Sequence, residues 1–207
     1  MSKPIIISIA GGTASGKTTV VNKIVKHFNS ENVSVISMDN YYKRRDDLSF
    51  EERKKINYDH PDAIDMDLLK RDVKLLLEGN KIYTPVYDFS LHNRDDNKQE
   101  LIKPTKVIII EGILALYDES IRSMSDIHIF VESDADIRFI RRLKRDIAFR
   151  GRTLEDVIFQ YLTTVKPMFD SYVAPTKRFA DIIIPNDTKN DMAIEIIIAK
   201  IKDIFNA

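Results

Sequence analysis

Ile5-Ile6-Ile7-Ser8-Ile9-Ala10 runs directly into Gly11-Gly12-Thr13-Ala14-Ser15-Gly16-Lys17-Thr18. The first six residues carry the β-branched signal of a buried strand, the next eight match the spacing G-x-x-x-x-G-K-[ST] in full, and helical periodicity follows over 16–28. A strand, a glycine-rich turn and a helix N-terminus together form an anion cradle. The glycines let the chain wrap with its N–H groups inward, and the helix end adds partial positive charge. Gly11, Gly12, Thr13, Ala14, Ser15 and Gly16 are therefore expected to hold the phosphates of a nucleoside triphosphate. Lys17 would reach the β and γ phosphates, and the Thr18 hydroxyl would coordinate the magnesium ion that bridges them.

Outward from this loop, short β-branched runs alternate with longer helical patterns, which predicts an α/β chain with a parallel sheet covered on both faces. The fold expected is that of a P-loop NTPase: a five-stranded parallel sheet flanked by helices. Strands are expected at 4–10, 33–38, 106–111, 126–131 and 181–184, and helices at 16–28, 65–77, 134–149, 154–169 and 191–204. Ile137, Ile140 and Leu143 read as core contacts of the third helix. Residues 81–103 break the rhythm and read as an inserted β-hairpin with a polar turn over 93–97, either a substrate-recognition element or a structural ornament. No repeat or linker divides the 207 residues, so a single domain is expected.

Lys plus Arg and Asp plus Glu each number 32, so no overall field draws the chain to nucleic acid or to a membrane, and neither is expected as a partner. The absence of cysteine excludes thiol nucleophiles, thiolate zinc sites and a disulfide framework, and the four histidines show no paired metal spacing. The first apolar run ends in a glycine turn and no run reaches the roughly 18 residues a membrane helix needs, so a cytoplasmic protein is expected.

The phosphate loop does not name the acceptor. Ligands of a doubly wound sheet bind beyond the carboxyl ends of its strands, where acids on neighbouring strands converge on the loop. Asp39 follows the second expected strand and Glu111 closes the third. Phosphoryl transfer to an alcohol needs a group that orients the hydroxyl and accepts its proton, and acids that hold magnesium. Asp39 suits the first task and Glu111 the second, with Asp39 also a candidate on the metal; singly, either could be a solvated turn residue.

Taken with the loop through Thr19, further segments carry a resemblance over nearly the whole chain: Met38-Asp39-Asn40-Tyr41-Tyr42, Asn57-Tyr58-Asp59-His60-Pro61-Asp62-Ala63, Pro85-Val86-Tyr87-Asp88-Phe89, Ile110-Glu111-Gly112-Ile113-Leu114, Arg145-Asp146-Ile147, Arg150-Gly151-Arg152 and Val165-Lys166-Pro167-Met168. In these the sequence resembles the uridine kinase family of P-loop nucleoside kinases. The resemblance implies transfer from ATP or GTP, with magnesium, to the ribose 5′-hydroxyl of uridine or cytidine, and a homotetramer. It places Thr19 with the phosphate loop, Asp39 at the 5′-hydroxyl, Tyr42 against the nucleoside, Asp59 on the 2′- and 3′-hydroxyls, and Tyr87, Phe89 and His92 around the base. Phosphoribulokinases and pantothenate kinases share the loop, but the Asp-His-Pro-Asp and Pro-Val-Tyr-Asp-Phe segments favour the nucleoside branch. The residues Phe89-Ser90-Leu91-His92 leave the preference between uridine and cytidine open.

Between Arg138 and Arg152 seven basic residues face one acid, Asp146. By itself this is a solvated helix face or a nucleic-acid patch; the resemblance makes 138–160 an arginine-rich lid in which Arg142, Arg145, Arg150, Arg152 and Gln160 meet the substrates. Two rivals come from other classes. Thr188-Lys189-Asn190-Asp191 imitates a guanine-specificity element, although Glu111-Gly112-Ile113-Leu114 lacks the D-x-x-G of GTPase switches. His60-Pro61-Asp62 imitates the tripeptide of J-domains, which have no use for a phosphate loop.

Overall fold

Five apolar runs pair as one parallel sheet in the computed structural model, which describes residues 4–28, 31–187 and 191–206. The strands are β1 (Ile5–Ala10), β2 (Val33–Ser37), β3 (Ile82–Asp88), β4 (Asn93–Ile102), β5 (Val107–Glu111), β6 (Ile127–Glu132) and β7 (Ile182–Pro185). Their order in the sheet is β2-β5-β1-β6-β7, while β3 and β4 form a separate antiparallel hairpin. The helices are α1 (Lys17–Phe28), α2 (Phe50–Arg53), α3 (Met66–Leu77), α4 (Glu119–Met124), α5 (Ala135–Arg150), α6 (Leu154–Gln160), α7 (Lys166–Met168) and α8 (Asp191–Asn206).

Both faces of the sheet are buried, which is why its strands are almost continuously apolar. On β5, Ile108 and Ile110 pack with Leu69, Val73 and Leu76 of α3, whereas Val107 and Ile109 pack with Val20 and Ile24 of α1 and Ile197 and Ile201 of α8. Burying each such side chain stabilises the fold by about 1.5–3 kcal/mol. The register brings chemistry to one edge: Glu111 lies beside Ile9 of β1 and Ser37 of β2. Two residues further along those neighbours stand Gly11 and Asp39. No helix among the described residues is long and apolar enough to cross a membrane.

The structure departs from expectation in four places. The hairpin turns over 89–92, not 93–97: the Asp88 carboxylate accepts from Ser90 N at 2.7 Å and Leu91 N at 3.3 Å, and His92 adopts a left-handed φ of 50°. Asn93, Arg94 and Asp95 pair with Asp88, Tyr87 and Val86, and the polar excess becomes a bulge opposite Pro85/Val86. The helix expected to end at 169 continues through π-helical turns at Tyr161–Val165 and Phe169–Val173 on either side of α7, and then a 3-10 segment, Ala174–Phe179. Pro167 in α7 lacks a donor, and the wider turns around it accommodate that loss. On α5, Ile140 is 46% exposed, Ile137 and Leu143 are only half-buried, and the buried residues are Arg138, Arg142 and Asp146. Its core side is thus charged: Arg142, Arg145, Arg150 and Arg152 surround Asp146, Asp59 also faces Arg142, and Asp170, Asp134 and Asp187 face Arg138. Finally, α2 and α4 start where polar caps close short turns, a Ser49/Glu52 capping box and Asp118 accepting from Ile121 N, with too few residues to show a period.

Residues 188–190 of the guanine-like stretch lie outside the described residues; Asp191 opens α8 and pairs with Lys23 at 2.8 Å. His60-Pro61-Asp62 is a turn element, in which His60 Nδ1 accepts from Asp62 N at 3.1 Å and Nε2 meets Tyr172 Oη at 3.0 Å.

Candidate active site

Two loop positions require glycine. Gly11 and Gly16 have φ of 149° and 92°, and an added Cβ would meet Val131 O at 2.3 Å and Asn186 Nδ2 at 1.8 Å respectively. Asn186, just past β7, donates from Nδ2 to Ser15 O at 2.6 Å and so holds the loop from the side. Lys17 Nζ folds back to donate to the carbonyls of Gly11 and Gly12 at 3.0 Å each. Burial draws its ammonium below the usual lysine range, against the opposing pull of Glu111 and Asp39.

Thr18 and Glu111 meet as the sheet register requires: Thr18 Oγ1 donates to the two carboxylate oxygens at 3.1 and 3.3 Å. Burial raises the Glu111 carboxyl; Lys17 lowers it, and Asp39 raises it further. Among the described residues no group of three or more His, Cys, Asp or Glu could hold a metal unaided. A hydroxyl and a carboxylate side by side at a phosphate cradle are nonetheless the hard oxygen donors that suit magnesium, which takes one or two protein ligands and fills its shell from phosphates and water. The donor set fits the ion.

Two cavities share one wall. The first, a cleft with ≈ 810 Å³ of empty space counted together with the open solvent at its mouth, is lined by Thr13, Ala14, Gly16, Lys17, Thr18 and Thr19 with Glu111 and Arg145. The second, a cleft with ≈ 540 Å³ of empty space counted together with the open solvent at its mouth, is lined by Tyr42, Tyr58, Asp59, Tyr87, Phe89 and His92 on one side and Arg142, Arg150, Arg152 and Gln160 on the other. Thr13, Asp39, Ile113 and Arg145 line both. A carboxylate therefore stands where the glycine-loop end and the aromatic end adjoin. Gly11, Gly12 and Ser15 shape the loop without lining either cavity.

The aromatic end is built edge to face. Tyr42 meets Tyr87 at 5.0 Å and Tyr58 at 5.2 Å between ring centroids, and Tyr87 meets Phe89 at 5.2 Å. His92 stacks on Tyr58 at 5.6 Å, and burial, then Arg152, pushes its pKa below the usual value, so the ring is neutral near pH 7. Asn40 ties this wall to Asp39: its Oδ1 accepts from Tyr87 N at 3.2 Å. Asp59 is half-buried, and burial raises its carboxyl, with Arg142 pulling it down and Asp39 pushing it up.

The opposite wall is cationic. Arg142 donates from Nη1 to Thr13 Oγ1 at 3.0 Å and from Nη2 to Gln160 Oε1 at 2.6 Å, and Arg152 donates to the same Gln160 oxygen. The Arg150 guanidinium lies 4.2 Å from the centroid of the Phe89 ring, so it reaches the hairpin across the cleft.

Sequence reasoning brought these residues together but missed several. Tyr58 and Ile113 line the cleft, and Asn40 and Asn186 brace it. Arg138 is buried on α5 with its guanidinium 3.9 Å from the Phe169 ring, close enough that a Cβ on Gly12 would meet its Nη1 at 2.5 Å. Tyr58 and Asn40 carried a signal, each being next to an acid already singled out. Asn186 carried none.

A profile of the Phosphoribulokinase / Uridine kinase family matches residues 6–193. A protein named uridine kinase from Clostridium perfringens is 50% identical over 205 residues, covering 99% of this chain and 98% of that one. One of the same name from Halalkalibacterium halodurans is 52% identical over 203 residues, covering 98% and 96%. Among solved structures, the phosphoribulokinase from Rhodobacter spheroides superposes with a TM-score of 0.65 at 19% identity, covering 89% of this chain and 71% of that one, a likeness of fold.

Proposed function

Since the chain belongs to the phosphoribulokinase/uridine kinase family, we propose that it transfers the terminal phosphoryl group of ATP to the ribose 5′-hydroxyl of uridine, and of cytidine, giving UMP or CMP and ADP. The observation that carries this reading is the position of Asp39 on the wall shared by the phosphate cavity and the aromatic cavity. ATP enters with its phosphates on the loop N–H groups. Lys17 turns from the loop carbonyls to the β and γ phosphates, where its charge neutralises what develops during transfer. Thr18 and Glu111, with Asp39 nearby, would hold magnesium, which neutralises phosphate charge and aligns the γ-phosphoryl group.

Asp39 accepts the proton of the 5′-hydroxyl as that oxygen forms its bond to the γ phosphorus and the bond to the β–γ bridging oxygen breaks. The nucleoside is held by Asp59, which accepts from the 2′- and 3′-hydroxyls, while Tyr42, Tyr87 and Phe89 enclose the base and the neutral His92 meets its edge. Arg145, Arg150 and Arg152 close over the phosphates as a lid and exclude water, with Arg142 and Gln160 at the sugar side. GTP is the alternative donor. The same reading carries a cytoplasmic homotetramer, checked by solution mass.

ADP release by the purified protein across uridine, cytidine, their 2′-deoxy forms, adenosine, ribulose 5-phosphate and pantothenate tests the proposal. Turnover with uridine and cytidine, and little with the deoxy forms, is expected, because removal of the 2′-hydroxyl leaves a desolvated acceptor unpaired. Turnover only with ribulose 5-phosphate or only with pantothenate would move the chain to another branch of the family, and GTP hydrolysis without acceptor would make it a switch.

A further inference from the structure

The Asp146 carboxylate is fully buried, lines neither cavity, and is ringed by four guanidinium groups that do line the cleft. Arg145 Nε donates to Oδ1 at 2.8 Å and Arg152 Nη1 to Oδ2 at 3.0 Å. Arg150 Nη1 lies 3.6 Å from Oδ1, and Arg142 Nε lies 3.6 Å from Oδ2. The same residue's backbone carbonyl accepts from the N–H groups of Gly151 and Arg152, closing the left-handed turn that swings Arg150 and Arg152 back over the cleft.

Resting on the kinase reading above, we infer that Asp146 is a positioning residue for phosphoryl transfer: it gathers Arg142, Arg145, Arg150 and Arg152 into the one arrangement in which they meet the phosphates and the sugar together. Four cations around one cleft, Arg142 buried and the others partly so, repel one another; Asp59 faces Arg142 and Asp39 faces Arg150, but Asp146 is the one buried counter-charge that all four share, and it lets them converge before the substrates arrive. Burial raises the Asp146 carboxyl, but the arginines, Arg142 foremost, outweigh it and hold it below the usual aspartate range, so the counter-charge is present at neutral pH. Arg142 Nε is buried without a hydrogen-bond partner, the mark of a guanidinium aimed by charge and not by a full set of bonds. Preorganised cations act on the transition state more than on the ground state, so the effect belongs in kcat.

The test compares Asp146→Asn in the wild-type chain and in an Arg152→Ala background, with kcat, both KM values and thermal melting measured on whichever acceptor the wild-type enzyme phosphorylates. Expected is a ten- to hundredfold loss of kcat with each KM within about threefold, shrinking to no more than about a third of that factor once Arg152 is gone. A folded Asp146→Asn enzyme within twofold of wild-type kcat, or an equal loss in both backgrounds, overturns the inference. Should the Asn variant not fold, Asp146→Glu, which keeps the charge but displaces both oxygens, is judged by the same two criteria. A wild-type enzyme inactive on uridine but active on another acceptor sinks the uridine reading while leaving Asp146 to be decided on that acceptor.

Discussion

Helices α1 and α5 both carry cations to the cleft, yet they bury opposite kinds of side chain. α1 buries Val20, Val21, Ile24 and Phe28 against the sheet and adds Lys17 at its first turn. α5 buries Arg138, Arg142 and Asp146 and leaves Ile140, Ile147 and Phe149 at 46%, 45% and 85% exposure. Apolar burial fixes α1 whether or not a ligand is present, which suits a phosphate cradle that must be preformed. The charged buried face of α5 is instead held through ion pairs to Asp146, so the placing of its arginines rests on charge and not on apolar packing.

The largest effect separating the two falls on Lys17. Lys17→Ala is expected to lower kcat about a thousandfold while the melting temperature stays near that of the parent; retention of more than a tenth of kcat would remove the cradle lysine from the chemistry. Next, Asp59→Ala raises KM for uridine at least about tenfold and KM for ATP less than threefold, and equal changes in both would argue against ribose recognition. Acid should produce a smaller version of the same split. The ionised Asp59 carboxylate accepts two hydroxyls, and burial sets its pKa above the ordinary value, so KM for uridine climbs as pH falls, beginning at a higher pH than a free aspartate would give. Asp59→Asn should flatten that acid limb. The smallest effects concern stability in urea: Ile24→Ala costs about 2–5 kcal/mol, whereas Ile140→Ala stays within about 0.5 kcal/mol. Equal costs would mean that the two helices are held alike.

The same contrast explains what could be read from sequence. The core strands, α1 and α3 announced themselves through β-branched runs and periodic leucines, because apolar burial leaves a pattern with the period of the element. Glu111 and Asp39 were legible because they end such runs. The buried side of α5 was not, since Arg138, Arg142 and Asp146 share the spacing of a solvated face, and only their counter-charges distinguish burial from exposure. The hairpin turn was misplaced for a similar reason: Asp88 and Ser90 form a side-chain turn no more polar than the bulge that follows. Tyr58 stacks on His92 across 34 positions of chain, a contact with no local signature.

Everything in the proposed chemistry passes through the Asp39 carboxylate. Asp39→Asn turnover with saturating ATP and uridine, with nucleotide affinity measured alongside, is therefore the most direct trial: the account predicts a kcat lower by about a hundredfold or more at unchanged ATP affinity. Near-normal turnover would contradict it and leave the wall between the two cavities without a base.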